Sequence, residues 1–497
     1  MLSVIETINR VVNDFVWGVP MLVLLVGTGV LMTCLTRCFQ LSHIGYWFKH
    51  TIGSIFTDKH VTRHTDHDDQ AISQFQSLCT ALAATIGTGN IVGVASALIT
   101  GGPGAIFWMW VAAFFGMMTS FSENILGIYY RRRNAAGEWS GGAMYYLRDG
   151  LGGKKHCKTL GAVLATLFSV FCLLASFGIG NMSQINSIAG NMQAAFSIPP
   201  LATGVALMLV AGLVVIGGIK RIALVTEKLV PFMAVLYIVG ALAACILNAD
   251  QLGRAFVSIF KGAFALKAVG GGIVGSGVKM ALTMGMKRGI FSNEAGLGSS
   301  VLVNSSSNVR EPVRQGMWGI FEVFADTIVV CTLTALTVLT SGLVDLDTGA
   351  TVTANAGSAL VGEAFGTVFG AFGPIFIAIA ILLFAFSTVL GWSHYGSKAF
   401  EYLFGTKATI IYKVIFVGFV VLGATMDLSL AWDLSDTFNG LMAIPNLIGV
   451  LALSPIVLRI TKNYVDRRIR KRDVKPILSA FADIEEEQAQ KLDDDCA

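Results

Sequence analysis

Charged side chains are scarce, at 13% of the 497 residues, about half of the roughly 25% usual in a soluble domain. Length alone would suggest several water-soluble domains. A chain this poor in charge and 54% hydrophobic, with repeated apolar runs, instead reads as one integral membrane unit. The signatures of catalysis and ATP hydrolysis are missing too. No nucleophile elbow, Walker loop, HExxH helix or dinucleotide fingerprint is present, so neither an enzyme nor an ATP-driven pump is supported. The eight cysteines are dispersed, mostly inside apolar runs. Their spacing excludes a zinc or iron–sulfur framework and suits buried small hydrophobes. No cleavable leader is expected: Val16 to Leu35 is too long for a signal-peptide core and no small-residue cleavage site follows it, so it is expected to stay as a helix. His60, His64 and His67 beside Asp66, Asp68 and Asp69 have the look of a metal cluster, but their place in a polar connection favours a solvated loop.

Glycine, at 55 residues, is well above the usual ~7%, as where helices pack closely in lipid. Eleven spanning segments are predicted, near 16–35, 70–99, 103–130, 159–188, 200–218, 221–247, 270–301, 315–341, 372–399, 409–427 and 434–459. Ile44 to Phe56 and Ala354 to Phe369 are too short or too polar to span and read as interfacial or re-entrant pieces.

Positive charge sets the expected orientation. Loop 36–69 carries Arg37, Lys49, Lys59 and Arg63; loop 131–158 carries Arg131, Arg132, Arg133, Arg148, Lys154, Lys155 and Lys158. Lys220, Arg221, Arg310, Arg314 and Lys407 fall on the same side, with eight more basic residues after 461. The alternate connections hold only Arg10, Arg254, Lys261 and Lys267. The basic side is therefore expected to be cytoplasmic, with the N-terminus outside and the C-terminus inside. The polar tail, 461–497, reads as a stop-transfer flank with a frayed end, although its basic part can also lie on anionic headgroups.

Residues 84–93, Ala-Thr-Ile-Gly-Thr-Gly-Asn-Ile-Val-Gly, interrupt an otherwise apolar span. Glycines at membrane depth loosen the helix and leave backbone groups that lipid cannot satisfy, which is tolerated where the chain lines a cavity. A second break runs from Ser292 to Ser300. With the first helix and its connection (1–69) set aside, ten spans divide into 70–247 and 248–460, each headed by a broken helix. An odd number of spans per half inverts the second half. The expected fold is an all-α polytopic membrane protein with a five-plus-five inverted repeat and alternating access around a midplane site.

Amides of Gly87, Thr88, Gly89 and Asn90 can face an anionic group, and freed carbonyls near Ala84 to Ile86 can hold a small cation. The hydroxyls of Thr85 and Thr88 and the Asn90 amide add oxygen ligands; a glycine kink without ligand is the rival. In span 372–399, Ser387 and Thr388 are adjacent hydroxyls, and Thr388 and Trp392 share a helical face. Trp392 either caps a small pocket or serves packing. The polar run 176–191 offers Phe177, Asn181 and Gln184 to the same cavity, or else to hydrogen bonds between helices. Glu123, Glu227, Glu294, Glu322 and Asp326 are candidate intramembrane acids. Glu294 reads as a gate pair with Lys287 or Arg288.

The run Gly101 to Gly116, Gly-Gly-Pro-Gly-Ala-Ile-Phe-Trp-Met-Trp-Val-Ala-Ala-Phe-Phe-Gly, resembles the signature of the alanine or glycine:cation symporter family. So do Gly87-Thr88-Gly89-Asn90-Ile91 and Ser292-Asn293-Glu294-Ala295-Gly296, and the likeness extends over nearly the whole chain. The resemblance implies a LeuT-type fold with one extra N-terminal helix and Na+-coupled uptake of alanine or glycine. It places the substrate carboxylate on backbone at Thr85 to Asn90, and the ammonium on oxygens including Gln184 and backbone near Gly296. Thr388 and Trp392 match pocket positions, and Ala84, Thr85, Gly87, Ser387 and Thr388 are the expected Na+ ligands. Some relatives of this family carry glutamine.

The reading is thus a symporter of the cytoplasmic (inner) membrane, with a small neutral amino acid, Na+ and the bilayer as partners. No cofactor beyond the coupling ion and no nucleic acid is expected; the oligomeric state is open. One Na+ entering through about 100 mV supplies ~2.3 kcal/mol, or about 50-fold accumulation. H+ coupling is the near rival, although the first break supplies no titrating acid. A channel, which would need a continuous polar pore, is the distant one.

Overall fold

In a bilayer every backbone polar group must be satisfied within its segment, which makes helices of the apolar runs. The computed structural model describes residues 2–64, 70–264, 276–347, 349–426 and 429–494. Among these, eight helices are long and apolar enough to cross a membrane, or nine when the bent pair Gln74–Thr85 and Thr88–Gly101 counts as one. The sequence reading has eleven. Its further two are Pro200–Val215, apolar but only 16 residues long, and Ser276–Asn293, whose apolar character is diluted by Lys279, Lys287 and Arg288. The start of that predicted span, 270–275, lies outside the described residues, as do Lys267, Cys496, and His67 with Asp66, Asp68 and Asp69.

The first broken helix begins on a reciprocal cap: Ser73 Oγ accepts from the Gln76 amide at 3.1 Å while Gln76 Oε1 accepts from the Ser73 amide at 3.1 Å. Gln74–Thr85 ends at the glycines, and the chain resumes in Val92–Gly101 after a bend of 59°. The second broken helix, Ser276–Asn293, stops at a turn and restarts as Val301–Asn304. Gly104–Tyr129 packs on both Ser276–Asn293 and Pro312–Val323, while Phe372–Phe404 lies against Gln74–Thr85, Ser183–Phe196 and Gly218–Leu247. The broken helices are therefore clasped between long continuous ones. Widened turns of π geometry also occur at Gly178–Met182 and Phe324–Cys331, a distortion that recurs beside functional sites. Ile44–His50, Ile52–Thr57 and Gly357–Phe369 are short helices, in keeping with pieces that do not span.

The tail departs from the expected frayed end. The Ala480 amide donates to the Tyr129 carbonyl at 2.9 Å, and Ala482–Asp494 is helical. Arg133 meets Glu487 at 2.8 Å, and the Arg132 guanidinium lies 3.8 Å from the Phe481 ring centroid. Phe481 and Ile484 pack with Ala71 and Trp139. Apolar residues spaced among the acidic ones give the tail a face that sticks, a pattern that net charge conceals.

A close helix approach bearing on the first break is at Gly391, where an added Cβ would lie 2.6 Å from Ala84 Cβ and 2.9 Å from its Cα. Gly391→Ala should force the first broken helix away and destabilise the protein by about 1–3 kcal/mol, read as a lower melting temperature of the detergent-purified protein. An unchanged melting temperature would show that the crossing relaxes freely.

Candidate functional site

At the first break the chain leaves the helix at Ile86, which is extended (φ −78°, ψ 94°). The freed amides find side chains: Asn90 Oδ1 accepts from Gly87 at 2.9 Å, and Gln184 Oε1 accepts from Thr88 at 3.3 Å. Asn90 Nδ2 donates to Asp326 Oδ1 at 2.6 Å. Asn90 thus spends its amide oxygen on the break itself, where the sequence reading offered it as a cation ligand. Ser292 Oγ donates to the same Asp326 oxygen at 3.1 Å, so one carboxylate joins both broken helices. Asp326 also accepts from Thr327 Oγ1 at 2.7 Å, and it is fully buried.

At the second break Glu294 takes a left-handed backbone (φ 56°), and its carboxylate turns inward. Oε1 accepts from Trp392 Nε1 at 3.0 Å and Oε2 from Ser299 Oγ at 2.5 Å. The expected pair with Lys287 or Arg288 is not formed. Lys287 meets Asp436 at 3.1 Å instead, because the left-handed turn carries Glu294 away from the helix face that bears those cations. The Gly296 carbonyl accepts from Asn446 Nδ2 at 2.9 Å. Asn446 in turn bonds Glu123 and Tyr146. Glu322 accepts from Asn304 Nδ2 at 3.0 Å, and Glu227 from His64 at 3.0 Å. Among the described residues no group of three or more His, Cys, Asp or Glu side chains could hold a metal ion.

Between the breaks lies a cavity of about 20 Å³, room for a water-sized group and well short of an open ligand site. Ala84, Thr85, Gly87, Thr88 and Gly89 form one wall, and Thr388 and Trp392 another. Gln184, Ile179, Phe291, Glu294 and Asn439 complete it. Phe177, Asn181, Gly296, Asn90 and Ser387 do not line it. Phe177 packs on Tyr412 and Phe419, and Asn181 Nδ2 donates to the Phe416 carbonyl at 2.7 Å. Asn439 is absent from the sequence reading. Its signal is the polar run Ser435-Asp436-Thr437-Phe438-Asn439 inside a span. Its buried Oδ1 meets no donor, which leaves an acceptor for a solute. Ile179 and Phe291 carry no sequence signal beyond being apolar. The first break has no acid of its own, but folding brings Asp326 and Glu294 beside it.

Next to the cavity, oxygens converge. Ser387 Oγ is 2.7 Å from the Phe384 carbonyl and 3.3 Å from that of Ala83. Thr388 Oγ1 is 3.1 Å from the Phe384 carbonyl and 3.4 Å from that of Ile86. Three carbonyls and two hydroxyls without formal charge make a donor set for a hard, weakly charged cation. Gly87 lets the break reach this cluster, since a Cβ there would stand 2.4 Å from Thr388 Oγ1.

Two broken helices clasped by continuous ones, with a cavity and an oxygen cluster at the breaks, define a secondary transporter of LeuT type. The fold agrees with that of a Na+-coupled sialic acid symporter solved in a substrate-bound outward-open state: TM-score 0.52 and 12% identity, over 95% of this chain and 96% of that one. Residues 2–478 match the model of the sodium:alanine symporter family, to which the chain belongs. The sodium/alanine symporter AgcS of Methanococcus maripaludis is 45% identical over 95% of this chain and all of its own length. A probable sodium/glutamine symporter, GlnT of Bacillus subtilis, is 35% identical over 95% of this chain and 93% of its own.

Removing Asn90 strands the Gly87 amide and takes one of three side-chain donors from Asp326. Each unsatisfied buried group costs about 1–3 kcal/mol. Asn90→Ala should therefore reduce uptake to background while the protein still inserts. Transport near the wild-type rate at equal membrane abundance would sink this role.

Proposed function

We propose that the protein imports alanine, glycine or both together with Na+ across the cytoplasmic membrane. The basic face and C-terminus are inside, the N-terminus is outside, and residues 70–247 and 248–460 act as the two inverted repeats. The observation that carries the reading is the cluster of Ala83, Ile86 and Phe384 carbonyls with the Ser387 and Thr388 hydroxyls, set against a cavity of small volume. Na+ is a substrate here and would enter that cluster. Relative to the sequence reading, the backbone donors are the carbonyls of Ala83 and Ile86 on either side of Ala84 and Thr85. In the cavity, Glu294 and the open Asn439 oxygen suit an ammonium. The half-helix beginning after Gly87 suits a carboxylate, because its amide end carries partial positive charge. The Trp392 ring closes the side-chain end. A glutamine substrate is the second reading, favoured by the likeness to GlnT.

The decisive measurement is uptake of labelled alanine into proteoliposomes under an imposed Na+ gradient. Uptake that saturates and needs Na+ supports the reading, and uptake driven equally by a pH gradient without Na+ replaces it with H+ coupling. In the same assay Thr388→Ala should raise the Na+ concentration for half-maximal uptake about tenfold, the loss of one ligand at roughly 1.4 kcal/mol, and that of alanine by less. A shift in alanine alone would reverse the assignment.

Trp392→Ala should widen the pocket. Serine, leucine or glutamine would then compete with alanine at concentrations where they leave the wild type untouched. A competition profile that does not change would mean the ring does not limit solute size.

A further inference from the structure

The face that carries the basic loops has a second hollow, remote from the breaks. Lys49, His50, Arg310, Arg314, Arg468 and Lys471 line a cavity of about 710 Å³, a size that takes a whole small molecule. They come from three separate stretches: the interfacial helices after the first span, the connection that follows the second broken helix, and the base of the tail.

Two acids share the hollow, and both are engaged. Asp58 lies 3.5 Å from Arg314. Glu311 is held by Arg467 and, at 3.0 Å, by Arg468. Lys49 and Lys471 are exposed and, among the described residues, neither pairs with a carboxylate. The field is felt by His50. Burial pushes its imidazole below the ordinary value, and Arg314, Lys49 and Arg468 push the same way against its bond to the Tyr46 carbonyl. Tyr46 stacks on His50 with centroids 3.9 Å apart, and its hydroxyl is 3.2 Å from that of Tyr464. The hollow therefore offers surplus positive charge, two phenols and fixed walls. Converging cations of this kind recognise phosphate. Beside it the interfacial segment exposes Leu41, Ile44 and Phe56, the last to 84%, as a segment seated in the headgroup region would.

We propose that this hollow binds a phosphate-bearing anion, with Lys49 and Lys471 supplying the charge. The phosphate reaches it on the headgroup of an anionic phospholipid or on a soluble metabolite. Bound there, it ties the interfacial segment, the connection after the second break and the base of the tail into one unit. The site is separate from the proposed amino-acid and Na+ sites and does not depend on them.

The test uses the full-length protein in a neutral detergent, titrated calorimetrically with dioctanoyl phosphatidylglycerol, inorganic pyrophosphate and, as the zwitterionic control, dioctanoyl phosphatidylcholine. Saturable binding of one equivalent of either anion is expected. Phosphatidylglycerol alone points to the headgroup, and pyrophosphate binding points to a soluble source. The double variant K49E/K471E should weaken binding at least about tenfold, and K49R/K471R should restore it to within about twofold. If the charge reversal fails to yield monodisperse protein, Lys49→Gln and Lys471→Gln provide the comparison, each with a weaker loss. No saturable binding of either anion, equal binding of phosphatidylcholine, or undiminished binding to the charge-reversed or glutamine variants would overturn the site.

Discussion

Everything at the centre of this molecule depends on satisfying backbone groups that two helix breaks release far from water. An unpaired amide or carbonyl at that depth costs several kcal/mol, so a break persists only where other groups take over its hydrogen bonds. Here the takeover is by side chains. Asn90 accepts from Gly87, Gln184 accepts from Thr88, and Asn293 Oδ1 accepts from Ala295 at 3.0 Å. Asp326 stands behind them and holds Asn90 and Ser292 together. Through Asp326, one carboxylate is bonded to both breaks.

The carbonyls are treated differently from the amides. Those of Ala83 and Ile86 receive only long contacts, 3.3 and 3.4 Å, from hydroxyls that bond more closely to Phe384. Partial satisfaction of this kind leaves an oxygen cluster that a small cation can complete, whereas a fully bonded set would have no reason to admit one. That the amides are capped and the carbonyls left weakly engaged is the feature on which the proposed cation site rests.

Much of this was legible in the chain. Glycines, threonines and an asparagine inside an apolar run mark the first break, and Ser292 to Ser300 marks the second. The helical spacing of Thr388 and Trp392 puts both on one face, and both line the cavity. What sequence periodicity could not supply was contact across long separations. Asp326 sits on a π-distorted turn, 236 residues from Asn90, and helical spacing says nothing of such a pairing. Glu294 was visible as an acid in a span, but its left-handed backbone, which sends it to Trp392 and not to Lys287, is a turn property that charge spacing misses. Phe177 and Asn181 look like site residues because they lie in a polar run. Yet a π turn shifts the helical face, and both point to the helix Thr409–Thr425. The tail's packing was hidden for a different reason, since its apolar residues are few and its net charge dominates any average.

Thr388 shows how cation and solute would be coupled without any wire between them. Its hydroxyl borders the Ile86 carbonyl in the proposed cation cluster, and the same residue lines the proposed solute cavity opposite Gly87. The cluster's carbonyls divide between the first broken helix, which gives Ala83 and Ile86, and the long helix Phe372–Phe404, which gives Phe384. A cation bridging the two would therefore favour the arrangement in which they touch. That arrangement is also the one in which Gly87 and Thr388 close one side of the cavity. Any rocking that separates the helices would open the cation shell and the cavity wall together, because both are halves of one interface. Coupling then requires only that each ligand prefer the closed interface over the open one. The missing Cβ at Gly87 is what makes that interface tight enough for the preference to be shared.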